Sequence, residues 1–211
     1  MNRRLLLELA VIVGIVWGCG PTAEPTPAEP AVDLVVGCVG IPAIPCQGIA
    51  DVVGAALPPG RGKPASLQLW AESCGDLACP PGTFAGRATA EWAGGGPPVL
   101  IQFQGPAASL KLDPVQDVHW SGVVQPKSAR VLPGAVVPFT LGHCGLLHVV
   151  DFDGSFWVPV GELDVDEPAN INSNAGQMQL IGPNRAQFAS GGRLIATLAR
   201  FPGPKQFWLC D

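Results

Sequence analysis

The seven cysteines of this 211-residue chain are the side chains with the greatest capacity for chemistry. A thiolate can attack a carbonyl group, coordinate zinc or pair in a disulfide. The sequence has no C-x-x-C motif and no Cys/His pair at zinc-finger spacing, which argues against zinc. Cys144 lies beside His143, so a Cys–His nucleophile is an alternative to a disulfide at that position. Which of these roles applies depends on whether the chain lies in a reducing or an oxidising compartment.

The N-terminus has the pattern of an export signal. Arg3 and Arg4 precede an apolar run over residues 5–18, which is shorter than the about 20 residues of a membrane-spanning helix. The run ends in VWGC, which resembles the lipobox of bacterial lipoproteins, although its tryptophan departs from that pattern. The resemblance implies a signal peptide over residues 1–18, cleavage before Cys19 and acylation of Cys19. The alternative is an uncleaved signal anchor.

Residues 19–31 then form a lipidated cysteine and a tether. The segment PTAEPTPAEPA alternates proline with Thr, Ala and Glu, a composition that favours extended polyproline II. Two or more acyl chains would give stable anchoring, so we expect the membrane to be a partner through the N-terminal lipid. Both the lipoprotein and the signal-anchor interpretation place the domain on the extracytoplasmic side of the cell membrane or at the cell surface.

With Cys19 assigned to the lipid, six of the seven cysteines remain, and an even number in an exported domain indicates disulfides. Six cysteines allow 15 pairings, so we rely on spacing. The nearest-neighbour pairing predicts Cys38–Cys46, Cys74–Cys79 and Cys144–Cys210.

Carboxylates are concentrated in two places. Asp151 and Asp153 begin a segment that resembles a D-x-D-x-D-G calcium loop, but the third acidic residue and the bidentate glutamate are missing. Both are more simply residues of an Asp-Gly turn. The polar loop over residues 162–176 is richer in oxygen ligands, and its weak calcium candidates are Asp164, Asp166 and Glu167.

The three histidines do not form a recognisable metal or catalytic motif. His143 and His148 are five residues apart, and only His119 could join them. No G-x-S-x-G, H-E-x-x-H, P-loop or G-x-G-x-x-G sequence occurs. We therefore predict a chain that is not an enzyme and needs no cofactor, with a hydrolase of an unrecognised family as the alternative.

The remaining aromatic signal comes from tryptophan, because the chain has no tyrosine. The tryptophans beyond the signal are Trp70, Trp92, Trp120, Trp157 and Trp208. Trp70 shares the polar face of its predicted strand, where it could form a platform for sugars or apolar ligands. The alternative is that these side chains anchor the core of small β domains.

The elements that position these residues are mostly strands. One amphipathic helix is predicted over residues 45–57, with an apolar stripe on one face. Alternating polar and apolar residues then predict half-buried strands over residues 66–74, 84–92 and 99–104. Together they predict a small α+β unit over residues 32–105.

Residues 106–211 have shorter and more regular strand patterns. Turn signals at intervals of about 8–12 residues favour a sandwich or barrel-like β domain. The strands are predicted over residues 109–112, 118–124, 129–132, 136–141, 147–152, 155–160, 177–181, 185–189, 193–200 and 205–210. Asp153-Gly154 is the strongest hairpin signal and predicts a type I′ turn. The predicted fold is therefore mostly β (α+β) and stapled by disulfides.

The second region also carries a resemblance. The sequences HCGL at residues 143–146 and VDFDGSFW at residues 150–157 resemble a module of uncharacterised secreted or lipid-anchored bacterial proteins. The similarity covers residues 136–211 and implies a Cys-bracketed β module. It implies no activity and no functional residue.

Composition excludes several classes of function. Charged residues make up only 14% of the chain, against about 25% in ordinary domains, and the net charge is −5, so no basic surface for nucleic acid is expected. The 27 glycines and 23 prolines argue against a helical bundle. We expect a non-catalytic, membrane-tethered extracytoplasmic lipoprotein whose β domain binds an unknown extracellular ligand or envelope component or has a structural role. A calcium-dependent surface module is a further alternative.

Overall fold

The computed structural model describes residues 33–75, 78–142, 145–163 and 175–209. It confirms a mostly β fold with one α-helix and two six-stranded sheets in the described residues. The strands in chain order are β1 (Val35–Val39), β2 (Ser66–Ala71), β3 (Thr83–Glu91), β4 (Val99–Pro106), β5 (Lys111–Pro114), β6 (Val136–Thr140), β7 (Asp151–Phe152), β8 (Ser155–Pro159), β9 (Gly161–Leu163), β10 (Ala175–Gly182), β11 (Arg185–Ser190) and β12 (Arg193–Phe201). The helix is α1 (Ala43–Ala55), and within these ranges no helix has the length and apolar character needed to cross a membrane.

The first sheet has the strand order β5-β4-β3-β2-β1-β9. Strands β2 to β5 form an antiparallel meander, whereas β1 pairs in parallel with both β2 and β9. Parallel neighbours need a crossover connection, and α1 provides it between β1 and β2. The sequence patterns did not reveal this parallel pairing. Strand β9 carries residues from beyond position 105 into the sheet of the N-terminal region.

Helix α1 covers one face of the first sheet. It begins and ends two residues earlier than the range 45–57 that its periodicity predicts. Cys46, Ile49 and Val53 are buried, while Val52 is 36% exposed, so the apolar stripe is narrower than expected. These side chains pack on the inward-facing residues of β2, β3 and β4, which include Leu67, Leu69, Ala88, Ala90, Ile101 and Phe103.

Part of the opposite face of the first sheet is also covered, which corrects the prediction of half-buried strands in that part. Gln68 and Thr89 are each 5% exposed and Glu91 is 6% exposed, although alternation placed all three on polar faces. The Gln68 side chain donates to the carbonyl oxygen of Pro159 in β8, so the second sheet lies over this face. Apolar alternation detected one buried face, but it could not show that the polar face was buried as well.

The second sheet is antiparallel with the order β6-β10-β11-β12-β8-β7. Its main apolar cluster includes the fully buried side chains of Trp157, Met178, Phe188 and Leu198. Five of its strands lie close to their predicted positions. The predicted strand over 147–152 is instead a 3₁₀ turn at Gly145–Leu147 followed by the short strand β7.

Three predicted strands, over residues 118–124, 129–132 and 205–210, are absent as regular strands from the described part of the chain, which ends at residue 209. Only the isolated bridges Trp120–Trp208 and Val124–Lys205 form there. Pro126, Pro133 and Pro204 border these segments, and a proline cannot donate to a ladder that would extend through it. The segments around Trp120 and Lys205 run beside each other.

Two disulfides lie within the described residues. Cys38–Cys46 joins β1 to α1 with a Cα–Cα distance of 6.2 Å, and Cys74–Cys79 closes the β2–β3 connection at 4.9 Å. These are two of the nearest-neighbour pairs. The predicted pair Cys144–Cys210 lies outside the described residues, as do Cys19 and the tether.

Candidate functional site

An open groove of about 550 Å³ lies on the exposed part of the first sheet. We call this surface the groove, and the residues that line it are Arg87, Leu100, Gln102, Val115, Asp117, Val118, His119, Trp208 and Leu209. The volume falls within the about 300–1,000 Å³ of typical small-molecule sites.

The floor of the groove comes from β3 and β4. Arg87 and Gln102 are direct cross-strand partners, and Leu100 lies two residues before Gln102 on the same face. Antiparallel partners place their side chains side by side on one face, so the sheet itself fixes this spacing. Polar and apolar residues alternate along the predicted strands over residues 84–92 and 99–104, and this alternation places Arg87 and Gln102 on the polar faces. It was the signal in the sequence for this floor.

The walls of the groove come from two extended segments. The N–H of Val115 donates to the carbonyl of Leu100 at 3.0 Å, which holds the first segment against β4. The N–H of Leu209 donates to the carbonyl of His119 at 2.8 Å, which joins the C-terminal segment to the first. The site therefore forms only when residues about 90 positions apart in the sequence meet.

Trp208 is the aromatic side chain of the groove, and it is held from two sides. Its ring stacks on Trp70 with centroids 6.3 Å apart and an interplanar angle of 9°. Nε2 of His148 lies 3.0 Å from the carbonyl oxygen of Trp208 and donates to it. Trp70, considered above as a platform for ligands, is half-buried beneath Trp208 and packs against the main cluster of the second sheet.

The described lining of the groove contains one cationic and one anionic side chain, those of Arg87 and Asp117. The Arg87 guanidinium forms an ion pair with Glu72, with Nε and Oε1 3.1 Å apart. Asp117 is the carboxylate among the described lining residues. The side chains of Gln102, Asp117 and His119 are exposed and make no hydrogen bond or ion pair with any other described residue. They are available to a ligand.

A buried polar cluster lies beneath the C-terminal segment and consists of Ser66, Gln68, Thr89, Glu91 and Lys205. Lys205 Nζ is 2.9 Å from Glu91 Oε2, with side-chain exposures of 5% and 8%. The Ser66 hydroxyl donates to the same oxygen at 2.7 Å. Gln68 Oε1 and Thr89 Oγ1 have no hydrogen-bond partner, although their residues are direct cross-strand neighbours.

A small cavity of about 10 Å³ adjoins this cluster and is lined by Trp208 as well. This space holds no more than about one water molecule. The chemical role of the cluster is therefore to fix the C-terminal segment, because a buried ion pair binds its two chain segments together.

The two aspartates of the Asp-Gly hairpin have structural partners. Asp153 and Gly154 have φ values of +57° and +68°, which a type I′ turn requires. The Asp151 carboxylate accepts hydrogen bonds from the N–H groups of Lys127 and Ser128 and from the Ser128 hydroxyl. These oxygens are therefore used to hold a neighbouring loop.

Asp153 has a comparable role. Its Oδ1 accepts from the Val131 N–H at 2.5 Å, and its Oδ2 pairs with Arg200 at 2.8 Å. Burial raises the pKa of Asp153, but the Val131 hydrogen bond and the Arg200 guanidinium outweigh it and lower the pKa below its usual value. The hairpin carboxylate is therefore held in its charged form.

Some of the other predicted ligand residues lie in the part of the chain that the structure describes, and some do not. Asp164, Asp166, Glu167 and His143 lie outside the described residues. His119 lies in the groove and His148 lies against Trp208. Within the described ranges, no group of three or more His, Cys, Asp or Glu side chains is arranged to hold a metal ion.

Comparisons with protein-family models, curated proteins and solved structures find no match to this chain. The function must therefore be argued from the groove itself. Sequence reasoning did not select Asp117, Gln102 or Leu209, because no motif or spacing connects them. They are brought together only where β3, β4, the segment that follows β5 and the C-terminal segment meet.

Proposed function

We propose that this chain is a non-catalytic, lipid-anchored protein of the extracytoplasmic side of the membrane whose β domain binds a ligand in the groove. The observation that supports this proposal is the groove, where the half-buried Trp208 side chain and apolar neighbours meet three exposed polar side chains that have no partner among the described residues. Small-molecule sites typically combine an apolar lining with a few orienting polar groups.

The proposed location has two kinds of support. The disulfides Cys38–Cys46 and Cys74–Cys79 indicate an extracellular or otherwise oxidising environment. The lipobox-like sequence before Cys19 and the proline-rich segment over residues 21–31 favour a lipid anchor with a tether. The lipid would hold the ligand-binding domain close to the membrane surface.

A thermal-shift screen of the purified full chain tests ligand binding. The library contains short peptides, oligosaccharides, fatty acids and nucleosides, and the detergent carries no sugar headgroup. A true ligand at about 100 times its Kd adds about 2.7 kcal/mol, which raises the melting temperature by about 5–10 °C for a domain of this size.

Variants locate the binding. Gln102→Ala and Asp117→Asn alter exposed groove residues without removing any contact within the described protein, so they should fold normally and lose most of the thermal shift. Leu132→Ala is the control, because Leu132 is 79% exposed and does not line the groove. If no compound binds, or if binding persists unchanged in both groove variants, the proposed function is wrong.

A further inference from the structure

We infer that the ligand of the groove is a neutral oligosaccharide, an inference that rests on the proposed function and adds the chemical class of the ligand. It combines four properties of the groove: its charge balance, its unpartnered hydrogen-bonding groups, its apolar strip and the strands that form its floor.

Charge argues against an ionic ligand. Arg87 is the cation of the described lining, and it is already paired with Glu72 at 3.1 Å. Asp117 is the carboxylate of the described lining, so this lining carries one formal charge of each sign. A phosphate or sulfate group would meet a guanidinium that is already paired with a carboxylate. A cationic ligand would find a single carboxylate among the described lining residues, and the neighbouring Glu72 is already engaged by Arg87.

The unpartnered side chains suit hydroxyl groups. Gln102 offers both a donor and an acceptor, Asp117 offers acceptors, and the His119 ring offers a donor and an acceptor. None of the three is occupied by another described residue. A sugar hydroxyl donates and accepts at once, so the hydroxyls of an oligosaccharide offer a suitable partner to each of these three side chains.

The apolar part of the groove complements the C–H groups on the faces of a sugar ring. Trp208, Leu209 and Val118 line the groove beside the polar groups, and Leu209 is 54% exposed. A pyranose ring has C–H groups on its faces and hydroxyls around its rim, which matches an aromatic and aliphatic strip next to polar side chains. The Trp70 stack holds the Trp208 indole in a fixed orientation, which lowers the entropy lost on binding.

The strands of the floor argue against a peptide that adds to the sheet. β3 lies between β2 and β4, and β4 lies between β3 and β5, so both floor strands are paired on each side. Strand addition requires a free edge with unpaired backbone groups. A ligand on this floor is therefore recognised by side chains rather than by strand backbone, which suits a sugar.

The test measures binding of the purified full chain, in a detergent without a sugar headgroup, to an array of oligosaccharides of two to six units. The array contains neutral oligomers of glucose, galactose, mannose and N-acetylglucosamine, and sulfated and uronic-acid oligomers for comparison. We expect saturable binding of at least one neutral oligomer and a change in tryptophan fluorescence. Titration calorimetry then gives the Kd.

The variants are Trp208→Phe, Gln102→Ala and Asp117→Asn, each of which should weaken binding roughly tenfold or more, or about 1.4 kcal/mol. Gln102→Ala and Asp117→Asn keep the inference testable if Trp208→Phe reduces folding, because both side chains are exposed and without protein partners. Ile44→Ala is the control on the opposite side of the first sheet, where Ile44 of α1 is 91% exposed, and it should leave the Kd unchanged.

The outcomes separate this inference from the proposed function. Neutral oligosaccharides that bind and depend on the groove variants support both. Binding only of charged oligomers, or of peptides or fatty acids from the screen, at the groove overturns the carbohydrate inference and leaves ligand binding in place. Neutral oligosaccharide binding that none of the variants weakens overturns the assignment to the groove. If no compound of any class binds, both are wrong.

Discussion

His148 and Asp153 show how single side chains attach extended segments to the second sheet. His148 donates to the carbonyl of Trp208, and its burial lowers its pKa below the ordinary value of 6.5; the Trp208 hydrogen bond acts in the opposite direction, and nearby Lys205 lowers the pKa further. Asp153 is held in its charged form by Val131 and Arg200. Both shifts make stability depend on pH in a definite direction.

The histidine predicts a loss of stability in mild acid. Below about pH 6.5 the unfolded chain binds a proton at His148 that the folded chain does not, so the free energy of unfolding falls as the pH decreases through this range. Urea unfolding between pH 7.5 and pH 5 measures it. His148→Gln should reduce this pH slope, whereas Leu132→Ala, at an exposed side chain that does not titrate, should leave it unchanged. Equal slopes for wild type and His148→Gln would contradict the prediction.

The lowered pKa of Asp153 has its effect at more acidic pH. Its contribution to stability is present above its ordinary pKa of 3.8 and is lost as the pH falls below that value. The His148 and Asp153 effects therefore occupy separate pH windows, and the comparison above pH 5 isolates the histidine.

At the scale of elements, the C-terminal segment is joined to β3 by the buried Glu91–Lys205 pair. The Lys205 ammonium also lies 5.1 Å from the Phe201 ring centroid and 5.2 Å from that of Phe207. Since Trp208 follows shortly after Lys205, this pair also positions one wall of the groove. The bridge between Val124 and Lys205 attaches the chain that continues from Val118 and His119, which belong to the other wall, to the same lysine.

Removing one partner of this pair should be costly. Lys205→Met leaves the Glu91 carboxylate buried and unpaired, so we expect a loss of about 3–5 kcal/mol in the free energy of unfolding. Glu91→Gln with Lys205→Met should regain at least half of it, because the charge is removed and Ser66 keeps an acceptor. Urea unfolding curves provide both values.

The matched control is the exposed Lys111–Asp113 pair, at 3.4 Å with side-chain exposures of 78% and 64%. Lys111→Met should change the free energy of unfolding by less than about 1 kcal/mol, because solvent screens an exposed pair. A cost for Lys205→Met as small as that of Lys111→Met would show that the buried pair does not hold the C-terminal segment.

At the scale of the whole molecule, residues 32–211 form one compact unit. Its first sheet contains β5 and β9, which both lie beyond the boundary predicted at residue 105, and Val39 of β1 packs into the main cluster of the second sheet. The disulfides indicate an extracellular or otherwise oxidising environment, and the proposed lipid anchor is tested by the processing of the intact chain.

Intact mass spectrometry of the chain extracted from native membranes tests the proposed anchor and the disulfides together. We expect a chain that begins at Cys19, is heavier by acyl groups, and gains labels on six cysteines only after reduction, since one of the seven carries lipid. Cys19→Ser should lack the acyl mass. An unprocessed chain that begins at Met1, or thiols that label without reduction, would contradict the prediction.

Some parts of the fold could be predicted from the sequence and others could not, and the difference has physical reasons. The strands β2, β3, β4, β8, β10, β11 and β12 were predicted close to their observed ranges, because alternation of apolar residues is a local property. The Asp153-Gly154 turn was likewise predictable, since its backbone requires φ > 0 at both positions. The segments around Trp120 and Lys205 were predicted as strands but form only isolated bridges, because their pairing depends on neighbours that are distant in the sequence.

The amino-acid sequence alone determined the mostly β class, many of the strands and the pairs Cys38–Cys46 and Cys74–Cys79, because each follows from local pattern, spacing or composition. The tertiary structure alone decided that Gln68, Thr89 and Glu91 are buried, because a second layer covers the polar face of the first sheet. It also decided that Arg87, Gln102, Asp117 and Trp208 share a groove. These residues come from four separate segments, and no local pattern records which distant segments will pack together.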